Sequence, residues 1–230
     1  MLERGRLIVV LLVLSGRTAT AQEMRQVRPE FDLYVNEGSR LRFVFQSRLN
    51  AGVNTPYSQG AFSCFVDFAL KPLLRRELRH DGDVFRRRYL TFRGGYQYST
   101  TISNGKVTLE NRSILEFTGR YPLPLGFMLT DRNRQEFRMV EGQNVSVRYR
   151  NRLWAERDLR FKALSFTPYL YDEVYFDTRY HAWSANRLAI GLRVPVGTRL
   201  ALEPYLLRQI NYQGSPSRIG ALGFKFSAYF

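Results

Sequence analysis

Hydrophobic and polar residues alternate along most of this 230-residue chain. The alternation is clearest over residues 217–230, where one face collects five apolar residues: Leu222, Phe224, Phe226, Ala228 and Phe230. The residues between them, among them Lys225 and Ser227, are mostly polar. A period of two is typical of a β-strand with one apolar face, because residues two apart on a helix point to nearly opposite sides.

Nine further segments alternate in the same way and are separated by turn residues. They cover residues 40–50, 62–71, 88–100, 107–121, 127–140, 144–153, 159–177, 183–196 and 199–211, with a weaker candidate at 31–37. Asn104-Gly105 predicts a hairpin turn. Each segment is long enough for a tilted strand that crosses a bilayer in roughly 9–11 residues. The sequence therefore predicts an all-β fold, an antiparallel up-and-down transmembrane β-barrel of about ten strands, with twelve left open.

The beginning of the chain has a different pattern. Arg4 and Arg6 precede an apolar run over residues 7–14, and an A-x-A exit follows at residues 19–21. A basic start, a short apolar centre and such an exit are typical of a secretory signal peptide. The run is too short for a membrane-spanning helix, which needs about 20 residues. We expect a cleaved signal peptide over residues 1–21 and an outer-membrane barrel domain over residues 22–230.

Charge narrows the choice of partners. The chain has 35 basic and 20 acidic residues, a net charge of +15, and only four of the basic residues are Lys. The export signal argues against nucleic acid. The excess of Arg can instead serve to bind lipopolysaccharide phosphates or a small anionic solute, or to form internal Arg–carboxylate pairs. The single cysteine, Cys64, lies on an apolar face, which favours a packed or lipid-facing thiol over a disulfide.

Several short motifs resemble a known family. An Asn-Arg pair recurs within the strand candidates, beginning at Asn111, Asn133, Asn151 and Asn186. Together with PYLYDEVYF at residues 168–176 and PEFDLY at 29–34, these pairs are similar to the DUF2490 family of uncharacterised bacterial outer-membrane barrels. The resemblance implies a barrel and a location, and it supplies no reaction.

The end of the chain also resembles the closing strand of bacterial outer-membrane barrels. The residues that carry this likeness are Leu222, Phe224, Phe226 and Phe230. The resemblance implies that the barrel-assembly machinery reads these residues during insertion. It also implies outer-membrane lipid and lipopolysaccharide as the surroundings of the folded protein.

If the apolar faces point to lipid, the opposite faces point into the barrel. The lumen-lining candidates are then Arg93, Arg112, Arg120, Arg148, Arg150, Arg152, Arg187, Arg193, Glu110, Glu116 and Glu203. Side chains fill barrels of about eight strands, and wide channels appear near 16 strands. Two interpretations stay open: a structural barrel with Arg–Glu pairs that satisfy one another, and a narrow anion-preferring path.

An enzyme is the alternative from another class. A lipid hydrolase needs a nucleophile within reach of a base, and His181 lies close in sequence to Asp177 and Ser184. This proximity is weak evidence, because catalytic triads are assembled in space. No metal-ligand cluster or phosphate-binding loop is evident, so we expect no metal, no cofactor and no enzymatic activity. Binding through loops near residues 51, 100 and 177 is a further alternative.

Overall fold

A computed structural model describes residues 23–37, 40–70, 89–162 and 164–230. The expected signal peptide and the connection at residues 71–88, with His80, lie outside these residues. The strands are β1 (Glu23–Glu37), β2 (Leu41–Gly52), β3 (Tyr57–Leu70), β4 (Leu90–Ser103), β5 (Lys106–Pro122), β6 (Phe127–Val140), β7 (Ser146–Arg157), β8 (Leu159–Phe161), β9 (Leu164–Asp177), β10 (Ala182–Val196), β11 (Leu200–Asn211) and β12 (Arg218–Tyr229). Within the described ranges, no helix has the length and apolar character needed to cross a membrane.

Eleven of these strands close into one barrel. Successive strands pair antiparallel, with β7 next to β9, while the short β8 pairs with β9 alone. The barrel closes between β1 and β12, which run parallel from Glu23 opposite Arg218 to Tyr34 opposite Tyr229. The predicted all-β barrel is confirmed. The barrel has eleven strands where about ten were expected, since β1 is a full strand, and this odd number makes the closing pair parallel where purely antiparallel pairing was expected.

The identity of β1 explains the parallel closure. The sequence indicated only residues 31–37, but the strand begins at Glu23 and buries Gln26, Arg28 and Asp32 on its inner face. In a chain that runs up and down through eleven strands, the first and the last strand point the same way. The closing pair must then be parallel.

The predicted strand at 159–177 is two strands. The backbone reverses at Lys162, whose φ is +54°, so that Leu159 pairs with Phe166 in a small hairpin. The hairpin turn at Asn104 and Gly105 is confirmed. Both residues have positive φ, 49° and 76°, as the tight turns favoured in β-hairpins require.

The two faces of the barrel differ in chemistry. Large apolar side chains are exposed on the outer face, as in Phe31, Phe62 and Phe224. On the inner face, Asp67 and Glu173 have no exposed surface. Polar groups inside and apolar groups outside are the reverse of the arrangement in a water-soluble protein.

Three inward glycines make room for aromatic rings. Gly95 lies directly opposite Phe65, while Gly191 and Gly223 lie opposite Tyr169 and Tyr205. A Cβ at Gly223 would lie 2.0 Å from the Tyr205 ring, and one at Gly191 would lie 2.3 Å from the Tyr169 ring. The rings therefore lie over bare backbone and fill the interior.

Gly94 and Gly95 are neighbours on β4 that point to opposite faces, so replacing each of them tests the close approach inside the barrel. A Cβ at Gly95 would lie 2.3 Å from the carbonyl oxygen of Cys64, which cannot move aside as a flexible side chain could. We expect Gly95→Ala to lower the free energy of unfolding by about 1–3 kcal/mol, measured by urea titration of the refolded barrel. At Gly94 the nearest atom, in Leu115, is 4.0 Å away, so Gly94→Ala should change stability by no more than about 0.5 kcal/mol. Equal losses from both variants would contradict the close approach.

Candidate functional site

Glu173 on β9 is the centre of the largest group of ion pairs. Its carboxylate, which is fully buried, accepts hydrogen bonds from Arg132 at 2.5 Å, Arg150 at 2.9 Å and Arg152 at 3.0 Å. The Tyr175 hydroxyl donates to it at 2.6 Å. Since β7 lies between β6 and β9, the contact from Arg132 reaches past the neighbouring strand through the barrel interior.

Glu136 on β6 extends this group. It is fully buried, and it accepts from Arg150 at 2.6 Å, with Arg112 at 3.7 Å and Arg134 at 3.8 Å. Arg134 in turn donates to Glu116 on β5 at 2.5 Å. Alternating Arg and Glu side chains thus connect β5, β6, β7 and β9 across the interior.

A second carboxylate group lies nearer the end of the barrel where β9 turns into β10. Asp177 accepts from Arg138 at 2.8 Å and from Arg148 at 2.9 Å. Glu110 accepts from Arg138 at 2.5 Å and from Arg112 at 2.6 Å. Arg138 therefore links the two carboxylates of this group.

Further ion pairs lie on the rest of the barrel wall. Asp67 on β3 accepts from Arg42 and Arg93, both at 2.5 Å. Glu203 on β11 pairs with Lys225 at 2.7 Å and Arg193 at 3.1 Å. Charged pairs hence occur on both sides of the interior.

All eleven lumen-lining candidates lie on this buried or half-buried face. Those within the connected groups are Arg112, Arg148, Arg150, Arg152, Arg187, Glu110 and Glu116. Arg93 pairs with Asp67 and Glu116, Arg193 pairs with Glu203 and Glu156, and Arg120 pairs with Glu156. A role for any of them in a solute path stays a prediction.

Sequence reasoning missed several members of this network. Glu136, Glu173, Arg132, Arg134 and Arg138 were not among the candidates. Four of them follow each other at every second position of β6, which is the alternation that marks one face of a strand. The alternation of these charged residues was visible in the sequence, but the polar Asp131 and Asn133 on the opposite face of β6 made the segment look irregular.

Aromatic and aliphatic side chains fill the space between the charged rows. The Trp154 ring stacks on Tyr169 and Tyr171, with centroids 4.3 and 5.3 Å apart. The Arg152 guanidinium lies 3.9 Å from the centroid of Tyr171. On the other side, Phe65 packs with Val44 and other buried residues. Between its ends, the described interior is packed with side chains.

A cavity of ≈ 930 Å³ lies at the end of the barrel where β5 turns into β6 and β10 into β11. We call it the basic vestibule. Its charged lining consists of seven arginines and four carboxylates, namely Arg42, Arg93, Arg120, Arg132, Arg152, Arg193, Arg199, Asp67, Glu116, Glu156 and Asp158. Among these residues positive charge is in excess, and a cleft with walls of low dielectric concentrates the resulting potential.

The candidate catalytic residues do not form a site. The Asp177 carboxylate forms ion pairs with Arg138 and Arg148, and the Ser184 hydroxyl donates a hydrogen bond to the Tyr175 carbonyl at 3.3 Å. His181 is exposed, and in the described part of the chain no hydrogen bond or ion pair joins its side chain to Ser184 or Asp177. Nor do the described residues contain three or more His, Cys, Asp or Glu grouped as metal ligands.

A family model described as "Protein of unknown function (DUF2490)" matches residues 30–219. The match covers most of the barrel. This chain belongs to the DUF2490 family.

Among solved structures, the DUF2490 chain is similar to an anion-selective porin from Comamonas acidovorans. The two share 13% sequence identity with a TM-score of 0.41, over 85% of this chain and 54% of the porin. The chain thus spans about half the length of that protein. No curated protein matches the chain. A likeness at this TM-score carries no conclusion about fold or solute, so the function of the DUF2490 chain has to be inferred from its own residues.

Proposed function

We propose that this protein is a non-enzymatic outer-membrane β-barrel that binds small anions in its basic vestibule. The observation that carries the proposal is the excess of arginine over carboxylate around a cavity of ≈ 930 Å³. The ion pairs around Glu136 and Glu173 keep the barrel closed between its ends. The protein is then a binding barrel and not an open pore.

The outer face supports the membrane location. Exposed apolar side chains such as Phe62 at 53% and Leu206 at 59% recur along the strands. In water, an apolar surface of this extent is an aggregation hazard. A closed barrel pairs its backbone donors and acceptors internally, which is what hydrocarbon requires of a spanning structure. Lipid and lipopolysaccharide are the surroundings that fit this surface, and the location agrees with the export signal expected at residues 1–21.

The last strand fits a role in barrel assembly. Leu222, Phe224 and Phe226 are exposed on the outer face of β12. The backbone N–H of Phe230 donates to the Tyr34 carbonyl at 2.8 Å, and its own carbonyl accepts from the N–H of Asn36 at 2.8 Å. The strand that the assembly machinery is proposed to read is therefore also the strand that closes the barrel.

Arginine suits the proposed ligand. A guanidinium presents several N–H donors in a planar fork, which matches the oxygens of phosphate or sulfate. The Arg193 side chain is 32% exposed although it pairs with Glu203 and Glu156, and Arg199 is exposed in the turn before β11. These two residues can meet an anion that enters the vestibule.

Anion binding is testable with tripolyphosphate as the probe. We expect saturable binding to the refolded barrel in a zwitterionic detergent, measured by isothermal titration calorimetry and weakened by added salt. Arg193→Gln combined with Arg199→Gln should weaken binding at least tenfold, because it removes two positive charges from the vestibule. Arg208→Gln is the control, since Arg208 is exposed on the outer face of β11. An equal loss from the control would mean that the anion binds to the charged surface at large.

A further inference from the structure

Polar side chains cluster on one side of the outer face of the barrel. On β6 and β7 the outward positions near the middle of the strands include Asp131, Asn133 and Asn151. On β9 and β10 they include Asp172 and Asn186. We call these five residues the outer polar patch.

The apolar side of the barrel makes the contrast. At corresponding positions β1 carries Val27 and Phe31, β3 carries Phe62 and Val66, and β12 carries Phe224, all of them exposed. On this side the polar residues of the outer face, such as Ser47 on β2, are scattered among apolar ones, whereas on the other side polar residues cluster.

The outer polar patch consists of two hydrogen-bonded groups that lie side by side, with Leu153 between them. Asn133 lies opposite Asn151, and Leu153 lies between Asp131 on one neighbouring strand and Asp172 on the other. The Asn151 amide donates to Asp131 at 2.6 Å and to Asn133 at 3.1 Å, and the Asn133 amide donates to Asp131 at 3.0 Å.

The second half of the patch lies one strand further. The Asn186 amide donates to Asp172 at 2.7 Å. Among the described residues, Asn133 and Asn186 each donate one amide hydrogen in this way, so each has a second donor to offer a partner.

Lipid is a poor cover for this surface. In hydrocarbon a polar group without all of its hydrogen bonds costs several kcal/mol, and a charge costs more. Asp131 and Asp172 are exposed and lie within strands proposed to cross the membrane, and among the described residues each accepts hydrogen bonds only from amide side chains of the same barrel. A second protein surface with amide donors satisfies them better than acyl chains do.

We propose that the face formed by β6, β7, β9 and β10 packs against the same face of a second copy, so that the protein is a homodimer in the membrane. Two copies inserted in the same direction about a two-fold axis along the membrane normal place this patch at equal depth. The outer polar patch of one copy then contacts the outer polar patch of the other. Asparagine both donates and accepts, so the remaining hydrogens of Asn133 and Asn186 bind the carboxylates or amide oxygens of the partner.

The size of the face fits a stable dimer. Four strands about 4.8 Å apart span about 19 Å, and twelve residues at about 3.3 Å extend about 40 Å, which gives roughly 750 Å². Stable interfaces bury about 800 Å² on each partner. Exposed Leu153 lies within the patch, and exposed Leu170, Leu188 and Ile190 lie beside it; against a second copy, these apolar side chains exclude lipid from the polar groups. The inference rests on the proposed membrane location but not on anion binding.

Cross-linking in phosphatidylcholine vesicles tests the dimer. The full mature chain has one cysteine, Cys64, which is exposed on β3, outside the proposed face. In a Cys64→Ser background, Leu153→Cys places a thiol inside that face. We expect a short bismaleimide to give a covalent dimer from this variant and only monomer from the native chain. Cross-linking through Cys64 without cross-linking at position 153 overturns the proposed face.

A second pair of variants separates the dimer from the membrane location. Asn133→Leu with Asn151→Leu should lower the dimer association constant at least tenfold, measured by energy transfer on dilution into excess lipid. Ser47→Leu, also a change from a polar to an apolar residue on the outer face but located on β2, should leave it unchanged. A native chain that floats with the vesicles as a monomer overturns the dimer alone. A chain that fails to float contradicts the membrane location itself.

Discussion

Replacing Glu173 with Gln is expected to lower the free energy of unfolding by about 3–5 kcal/mol. Gln keeps the shape of the side chain but removes its charge. The guanidiniums of Arg132, Arg150 and Arg152, within 3.0 Å of this carboxylate, and that of Arg187 at 3.5 Å then lose their common counter-ion. The measurement is urea unfolding of the refolded barrel in vesicles, followed by tryptophan fluorescence and heat-modifiable electrophoretic mobility.

Glu37→Gln is the matched control for this prediction. Glu37 is exposed at the end of β1, so the same chemical change there should alter stability by no more than about 0.5 kcal/mol. A small and equal change from both variants would show that the interior is hydrated enough to keep the arginines without Glu173. In that case the ion pairs do not close the barrel.

The fold class was predictable because alternation is a direct consequence of the pleat. Residues two apart lie on one face of a strand whatever its neighbours are, and β6 was predicted with the bounds that the structure shows. Strand number was harder to predict. Pro29 and the charged residues around it obscured the first half of β1, and the direction of the closing pair depends on whether the strand count is odd or even.

The partners within the charged interior could not be read from the sequence. Alternation assigns Arg150 and Glu173 each to one face of a strand, but their contact depends on the register of β7 against β9. The contact between Arg132 and Glu173 reaches past a whole strand, and only the curvature of the closed barrel brings these residues together. The polar side chains on the outer face, such as Asn133, likewise read as irregularity until the register showed them side by side.

Removing Arg150 and Glu173 together is expected to turn a barrel that does not conduct ions into one that does. Arg150→Ala with Glu173→Ala takes away two buried side chains that fill the interior and leaves Arg132, Arg152 and Arg187 beside the opened space. Water enters this space and hydrates the remaining charges. In a planar bilayer with a KCl gradient, the native barrel should show no discrete steps, and the double variant should show steps that favour chloride.

Two further variants show whether the opened space is the path. Arg150→Met with Glu173→Gln removes the same charges but keeps most of the volume, so it should stay closed if side-chain packing blocks the interior. Arg120→Ala with Glu156→Ala removes an ion pair at the basic vestibule, away from the centre, and should also stay closed. Steps of equal size from the native barrel or from either control would place the ion path elsewhere. They would contradict a barrel closed by the pairs around Glu136 and Glu173.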